Sequence, residues 1–223
     1  MTERTVLLLA SNSPRRRELL SLGNWLFSVS VSKVDESQQA GEAPADYVLR
    51  LAEAKARAAI PNARPEHVII GADTTVVDGN HILSKPKDVK EATAMLKSLR
   101  GHAHRVYTAL AVLRMYDEQL ITDLCVTDVP MRNYSDEEIE AYVSSGDPLD
   151  KAGAYAIQHP EFHPVENMKG CYASVMGLPL CHLIRALQRV GAYPNSDIPA
   201  ACQSLLRYQC PVSPAILRGE RVG

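Results

Sequence analysis

The sequence predicts an α/β fold, and three stretches predict it. Val6 to Ala10 is a short apolar run that turns polar at Ser11, the length of a buried strand. Val68-Ile69-Ile70-Gly71-Ala72 is a second such run, ending in Asp73. Arg105 to Leu113 and Leu120 to Met131 alternate on either side of the turn Tyr116-Asp117-Glu118, the pattern of a long antiparallel hairpin. Helical patterns lie between these strands. With 223 residues, the chain suffices for one large domain or two intimate lobes.

After the first strand, Ser13 is a good N-cap and Pro14 suits the first helical position, where its missing N–H costs nothing. Leu19 and Leu20 begin that helix's apolar face. Phe27, Val29 and Val31 alternate with serines as a half-buried strand. A polar loop carrying Glu36 leads to a helix over about Ala45 to Ala59 with the stripe Val48, Leu51, Ala52, Ala56 and Ala59. Lys55 falls within that stripe. Its stem either covers the core edge or carries an ammonium into a cleft, and the periodicity slightly favours the first. Val76 and Val77, then Asp78-Gly79-Asn80, then Ile82 and Leu83 read as a hairpin. Asp88 should cap a helix that ends at Gly101, and Ser135 opens another through a capping box with Glu138. Pro179 starts a helix reaching about Val190. Residues 195–223 show no clear period and are expected as a loosely packed tail beyond a main domain of residues 1–194.

The bulk composition excludes several classes. Twenty-four Lys and Arg against 26 Asp and Glu give a net charge of −2, so no general basic field invites nucleic acid. No run approaches a membrane span. The cysteines, 5 in number and scattered without a C-x-x-C, fit structural thiols in a reducing cytoplasm. The P-loop pattern and G-x-G-x-x-G after a strand are both absent, and so is H-E-x-x-H.

Local chemistry concentrates elsewhere. Ser11 and Ser13 flank a helix N-terminus followed by Arg15, Arg16 and Arg17; helix N-termini and arginine forks both suit phosphate. Asp73 follows five apolar or small residues, and a carboxylate there is costly to bury without a cation. Thr74 stands next to it, and Lys85 follows closely in a loop. The alternative for Asp73 is a local cap on its own turn.

The N-terminal S-x-S-P-R-R-x-E-L-L resembles the signature of the Maf family of nucleoside triphosphate pyrophosphatases. Further blocks are similar to that family: Tyr47-Val48-Leu49-Arg50-Leu51-Ala52 with Lys55-Ala56, Gly71-Ala72-Asp73-Thr74, Lys85-Pro86, the stretch from Leu96 to Thr108, Asp150 to Gln158, and Val175 to Pro179. The likeness covers about residues 5 to 190. It implies an elongated α/β structure with a mixed, twisted sheet and a cleft between two lobes. It also implies hydrolysis of a nucleoside triphosphate to monophosphate and pyrophosphate with a divalent metal, Mg²⁺ or Mn²⁺. By this resemblance Asp73 is the catalytic base or metal carboxylate, with Glu36 as second carboxylate and Lys85 beside them. Ser11, Ser13, Arg15, Arg16, Lys55, Thr74 and Gln158 then line the substrate site.

Such a reaction needs no protein nucleophile. It needs several phosphate charges neutralised and a water oriented, and hard cations prefer carboxylate and phosphate oxygens. The A-Y-x-I-Q motif is similar to the branch acting on dTTP and UTP. Two departures follow: His159-Pro160-Glu161-Phe162-His163-Pro164 stands where that branch is Gly-rich, and Arg100 replaces the usual serine. The family's association with inhibition of septum formation admits a second class, a nucleotide-binding regulator. The sequence leaves a homodimer open.

Overall fold

The computed structural model describes residues 6–31, 33–220 and 223. Strand β1 (Val6–Leu9) lies between β2 (Phe27–Val29) and β3 (His67–Asp78) and is parallel to both. The 12-residue β3 pairs antiparallel with the short β4 (His81–Leu83) and with β5 (Ala103–Arg114). β5 in turn carries β6 (Gln119–Pro130) antiparallel, completing a mixed six-stranded sheet.

Side chains alternate across this sheet with period two, so each strand feeds two cores. On one face, Leu8, Ile69, Ala109, Ala111 and Leu113 pack under helix α2 (Pro44–Ala58), against Val48, Leu51, Ala52 and Ala56. On the other face lie Leu7, Leu9, Val68, Ile70, Leu110 and Val112. They are covered by α1 (Pro14–Ser21), α3 (Val89–Leu99) and α4 (Asp136–Ser144), the short α5 (Tyr172–Val175), and α6 (Leu180–Arg189). Burial on both faces is why Val6 to Ala10 and Val68 to Ala72 are continuously apolar rather than alternating.

The local signals act as their chemistry predicts. Ser13 Oγ accepts from the Arg16 N–H at 3.4 Å with Pro14 in the first turn, and Asp88 Oδ1 accepts from the Glu91 N–H at 2.8 Å. Ser135 and Glu138 form the reciprocal capping box. The β3–β4 turn and the antiparallel β5–β6 hairpin are both present. Pro179 is the cap residue of α6 rather than its first helical residue.

Two expectations change. Asp73 does not end its strand. β5 pairs with β3 from Val68↔Arg114 to Val77↔Arg105, and this ladder carries β3 past Asp73 as far as Asp78. The segment expected as a loose tail instead folds into α7 (Ile198–Leu206) and α8 (Ser213–Leu217), with Ile198 and Ile216 fully buried. Arg185 of α6 donates to the Ile216 and Glu220 carbonyls, and the Tyr208 hydroxyl donates to the Gly170 carbonyl at 2.9 Å. Each helix is short and carries a proline in its first turn, leaving too few residues for a helical period to register. Among the described residues, no helix is long and apolar enough to cross a membrane.

Candidate active site

A cleft of about 790 Å³ opens where the C-terminal end of β1 meets α1, α2 and the middle of β3. Every residue expected at the site lines it: Ser11, Ser13, Arg15 and Arg16 from the β1–α1 turn, Glu36 and Lys55 from the α2 side, Asp73 and Thr74 from β3, and Lys85 and Gln158 from loops.

The packing of α2 determines the centre of this cleft. Residues 69, 71 and 73 share the sheet face that α2 covers. A Cβ on Gly71 would lie 2.1 Å from the Ala52 carbonyl oxygen and 2.8 Å from the Ala56 nitrogen. Glycine therefore lets the helix backbone settle onto β3. That close approach brings Lys55 over Asp73, two residues further along the strand. Lys55 Nζ donates to Asp73 Oδ1 at 2.6 Å and lies 2.7 Å from Glu36 Oε1. Of the two readings the helical stripe allowed for Lys55, the ammonium in the cleft is the one observed.

The two carboxylates are tuned in opposite directions. Asp73 is 7% exposed, and this burial raises its pKa above the ordinary aspartate value; Lys55 and Arg16 oppose the rise without cancelling it. Partial burial acts on Glu36 in the same sense, but there the Lys55 hydrogen bond and charge, helped by Lys85 and Arg16, win and hold it below the usual glutamate value. A buried carboxyl with a raised pKa beside an ionised one is the arrangement expected of a base next to a charge-stabilising group.

Arg16 organises the phosphate side. Its Nε donates to the Gly177 carbonyl at 2.9 Å, Nη1 to Ser11 Oγ at 3.2 Å and Nη2 to Thr74 Oγ1 at 3.2 Å. Ser11 Oγ also accepts the Ser13 N–H at 3.2 Å, which leaves its own proton to give to an anion. Thr108 Oγ1 lies 3.0 Å from Thr74 Oγ1 and 2.9 Å from the Ser174 carbonyl oxygen, fixing Thr74 from behind. Gly177 has φ +107, and a Cβ there would meet Arg16 Nε at 3.2 Å, so both its backbone and its neighbour require glycine.

Thr108, Gly177 and Tyr47 were not foreseen as site residues. The Leu96-to-Thr108, Val175-to-Pro179 and Tyr47-to-Ala56 blocks contain all three, but their role depends on tertiary contacts that block spacing does not encode. Ala152-Gly153-Ala154 serves packing. Gly153, at φ +69, would place a Cβ 3.0 Å from the Val76 side chain, so the turn rests directly on β3. Gln158 is exposed in the cleft, and among the described residues its side-chain amide has no hydrogen-bond partner.

The departure after Gln158 builds an anchor outside the cleft. His159 Nδ1 accepts the Phe162 N–H at 3.0 Å, and Phe162 is buried and stacked on Tyr142 with centroids 4.3 Å apart. Arg100 Nη1 bonds Asp136 Oδ1 at 2.7 Å, joining α3 to α4 away from the site. Among the described residues no group of three His, Cys, Asp or Glu is arranged to hold a metal ion. Glu36 and Asp73, meeting at one ammonium, are two hard donors that fit a cation completed by waters and ligand oxygens rather than a closed protein cage.

The profile of the family described as Maf-like protein matches residues 6–190. The chain is 45% identical over 192 residues to a dTTP/UTP pyrophosphatase of Geotalea uraniireducens (strain Rf4), covering 86% of this chain and 98% of that protein. It is 45% identical to the dTTP/UTP pyrophosphatase of Geobacter sulfurreducens, covering 85% of this chain and 99% of that protein. It is 44% identical to that of Bacillus cytotoxicus, covering 82% of this chain and 94% of that protein.

Proposed function

Because the chain belongs to the Maf-like protein family, we propose that it hydrolyses nucleoside triphosphates, with dTTP and UTP preferred, to the monophosphate and pyrophosphate. One observation carries this reading: the Asp73–Lys55–Glu36 cluster shares a single cleft with Arg16, Ser11 and Lys85. A binding regulator could retain the cations, but it has no use for a buried carboxyl tuned upward beside them.

In this reading, Arg16, Lys85 and Arg15 neutralise the triphosphate and Ser11 donates to a phosphate oxygen. Ionised Asp73 holds the attacking water and takes its proton, while Lys55 keeps Asp73 and Glu36 fixed. Glu36 and Asp73 are the residues that would hold Mg²⁺ or Mn²⁺ jointly with phosphate oxygens, and the ion supplies further charge neutralisation on the triphosphate. Pyrophosphate release from dTTP is expected to stop after exhaustive chelation and return with Mg²⁺ or Mn²⁺; a full rate without metal would remove Glu36 and Asp73 from that role. The free thiols, 5 among the described residues, suit a reducing compartment such as the cytoplasm.

The base preference rests on Gln158. Thymine and uracil present two carbonyls flanking one N–H, and an unpartnered amide offers two donors and one acceptor to that edge. A base with the reversed pattern sets donor against donor and acceptor against acceptor at this amide and is disfavoured. Measuring kcat/KM over the common triphosphates, with Gln158→Ala in parallel, tests both levels. dTTP and UTP are expected to lead for the native chain, and the variant is expected to lose that lead while still releasing pyrophosphate from all nucleotides. A purine preference, or an unchanged ranking in the variant, would overturn the pocket assignment. Failure to release pyrophosphate from any nucleotide would overturn the function.

A further inference from the structure

Glu36 sits in a stretch without regular secondary structure between β2 and α2, so the sheet does not fix its position. A local turn and contacts from one helix fix it instead. Asp35 Oδ1 accepts the Ser37 N–H at 2.9 Å, turning the backbone around Glu36. The Tyr47 hydroxyl donates to the Glu36 carbonyl oxygen at 2.8 Å. Three residues on, Arg50 Nη2 donates to the Ser37 carbonyl oxygen at 3.0 Å.

The same guanidinium forks onto Glu42, Nε to Oε1 at 2.6 Å and Nη2 to Oε2 at 2.8 Å, and it lies over the Tyr47 ring at 5.6 Å from the centroid. Glu42 closes the far end of the loop by accepting the Gln39 N–H at 3.0 Å. Its carboxyl is held at about 2, mainly by the Arg50 hydrogen bonds, so the fork stays ionised across the working pH range.

We propose that Tyr47 and Arg50, with Glu42 as the loop-side partner of Arg50, are positioning residues for Glu36. They fasten the two successive peptides that follow it, through the Glu36 and Ser37 carbonyls, to α2, the helix whose Lys55 grips its carboxylate. This places backbone and side chain of Glu36 under the control of one rigid element, at spacings of three and eight residues along it. Tyr47 itself is 9% exposed and reaches the cleft wall, so its hydroxyl is the inner bolt and the Arg50–Glu42 fork the outer one. The chemistry follows outer-shell logic: groups that orient a ligating carboxylate contribute to metal affinity and rate without touching substrate.

This inference rests on the pyrophosphatase reading, and its test separates the two. Tyr47→Phe removes only the hydroxyl. It is expected to raise the Mg²⁺ concentration for half-maximal dTTP turnover roughly 10-fold, the lower end of what outer-shell partners contribute. Glu42→Ala should shift it in the same direction. In a Glu36→Gln background, Tyr47→Phe should add nothing, because residues acting through one group are not additive. Additive losses in the double variant would show that Tyr47 works on something other than Glu36 and would overturn the proposal. Hydrogen exchange provides a readout independent of turnover. Backbone amides of residues 33–43 should exchange faster in Tyr47→Phe than in the native chain. Unchanged exchange there would overturn the latch, whereas absent turnover with faster exchange would remove only the pyrophosphatase reading.

Discussion

The Asp73→Asn variant is expected to turn over dTTP at least about 10²-fold more slowly than the native chain, the usual contribution of a positioned general base. Asparagine keeps the shape of the side chain and its bond from Lys55 Nζ, now 2.6 Å from Asp73 Oδ1, but it can neither carry charge nor take a proton. The pH profile of the native chain adds a second check. Burial raises the Asp73 pKa, so kcat/KM should fall with decreasing pH through a limb lying above the ordinary aspartate range, and Asp73→Asn should lack that limb.

Stability should move the other way. A carboxyl whose folded pKa is raised contributes stability that is complete at low pH and is lost as pH rises through the folded value, so at neutral pH ionised Asp73 is a cost to the fold. Lys55 retains Glu36 as a partner at 2.7 Å in the variant. The melting temperature of Asp73→Asn at pH 7 is therefore expected to equal or exceed that of the native chain, the usual trade between activity and stability at such sites. A slow variant with a markedly lower melting temperature would mean that the rate loss reflects damage to the fold, and an unimpaired variant would remove Asp73 from the chemistry.

Much of this is legible in the sequence itself. Ser13, Asp88 and Ser135 are caps whose chemistry is complete within four residues, and the structure uses each as a cap. The β5–β6 hairpin was legible because alternation and a turn are also local signals. Asp73 was misread as a strand end because the continuation of β3 depends on pairing with Leu110 to Arg105, residues that alternation identifies as a strand but does not assign to a partner. Lys55 was ambiguous for a related reason. Its place in the apolar stripe is identical in both readings, and only Gly71, which admits the helix to within contact of β3, decides between them. The resemblance supplied convergence that spacing does not, and all ten residues it named line the cleft. It did not supply the supports behind them, since Tyr47, Thr108 and the Gly177 carbonyl act through contacts that no motif spacing encodes.

Lys55→Met is expected to have the second large effect, and its pH dependence shows how Lys55 works. The ammonium lies between Asp73 and Glu36, with side-chain exposures of 9% and 54%. Methionine preserves the stem but leaves two carboxylates facing each other with Arg16 and Lys85 as the remaining cations around them. The buried one yields first: losing Lys55 removes the largest influence that lowers the Asp73 pKa. That pKa should climb further above the ordinary aspartate value, and the acid limb of kcat/KM should move up with it. At pH 7 the rate should fall by about 10²-fold or more, with partial recovery as the pH is raised and Asp73 ionises. Lys55→Arg should not restore the native profile, because a planar fork does not replace a compact charge between two oxygens. An acid limb unmoved in Lys55→Met would mean that Lys55 acts on the triphosphate instead of on Asp73. In that case the loss would persist at every pH and would be larger for triphosphates than for the monophosphate product.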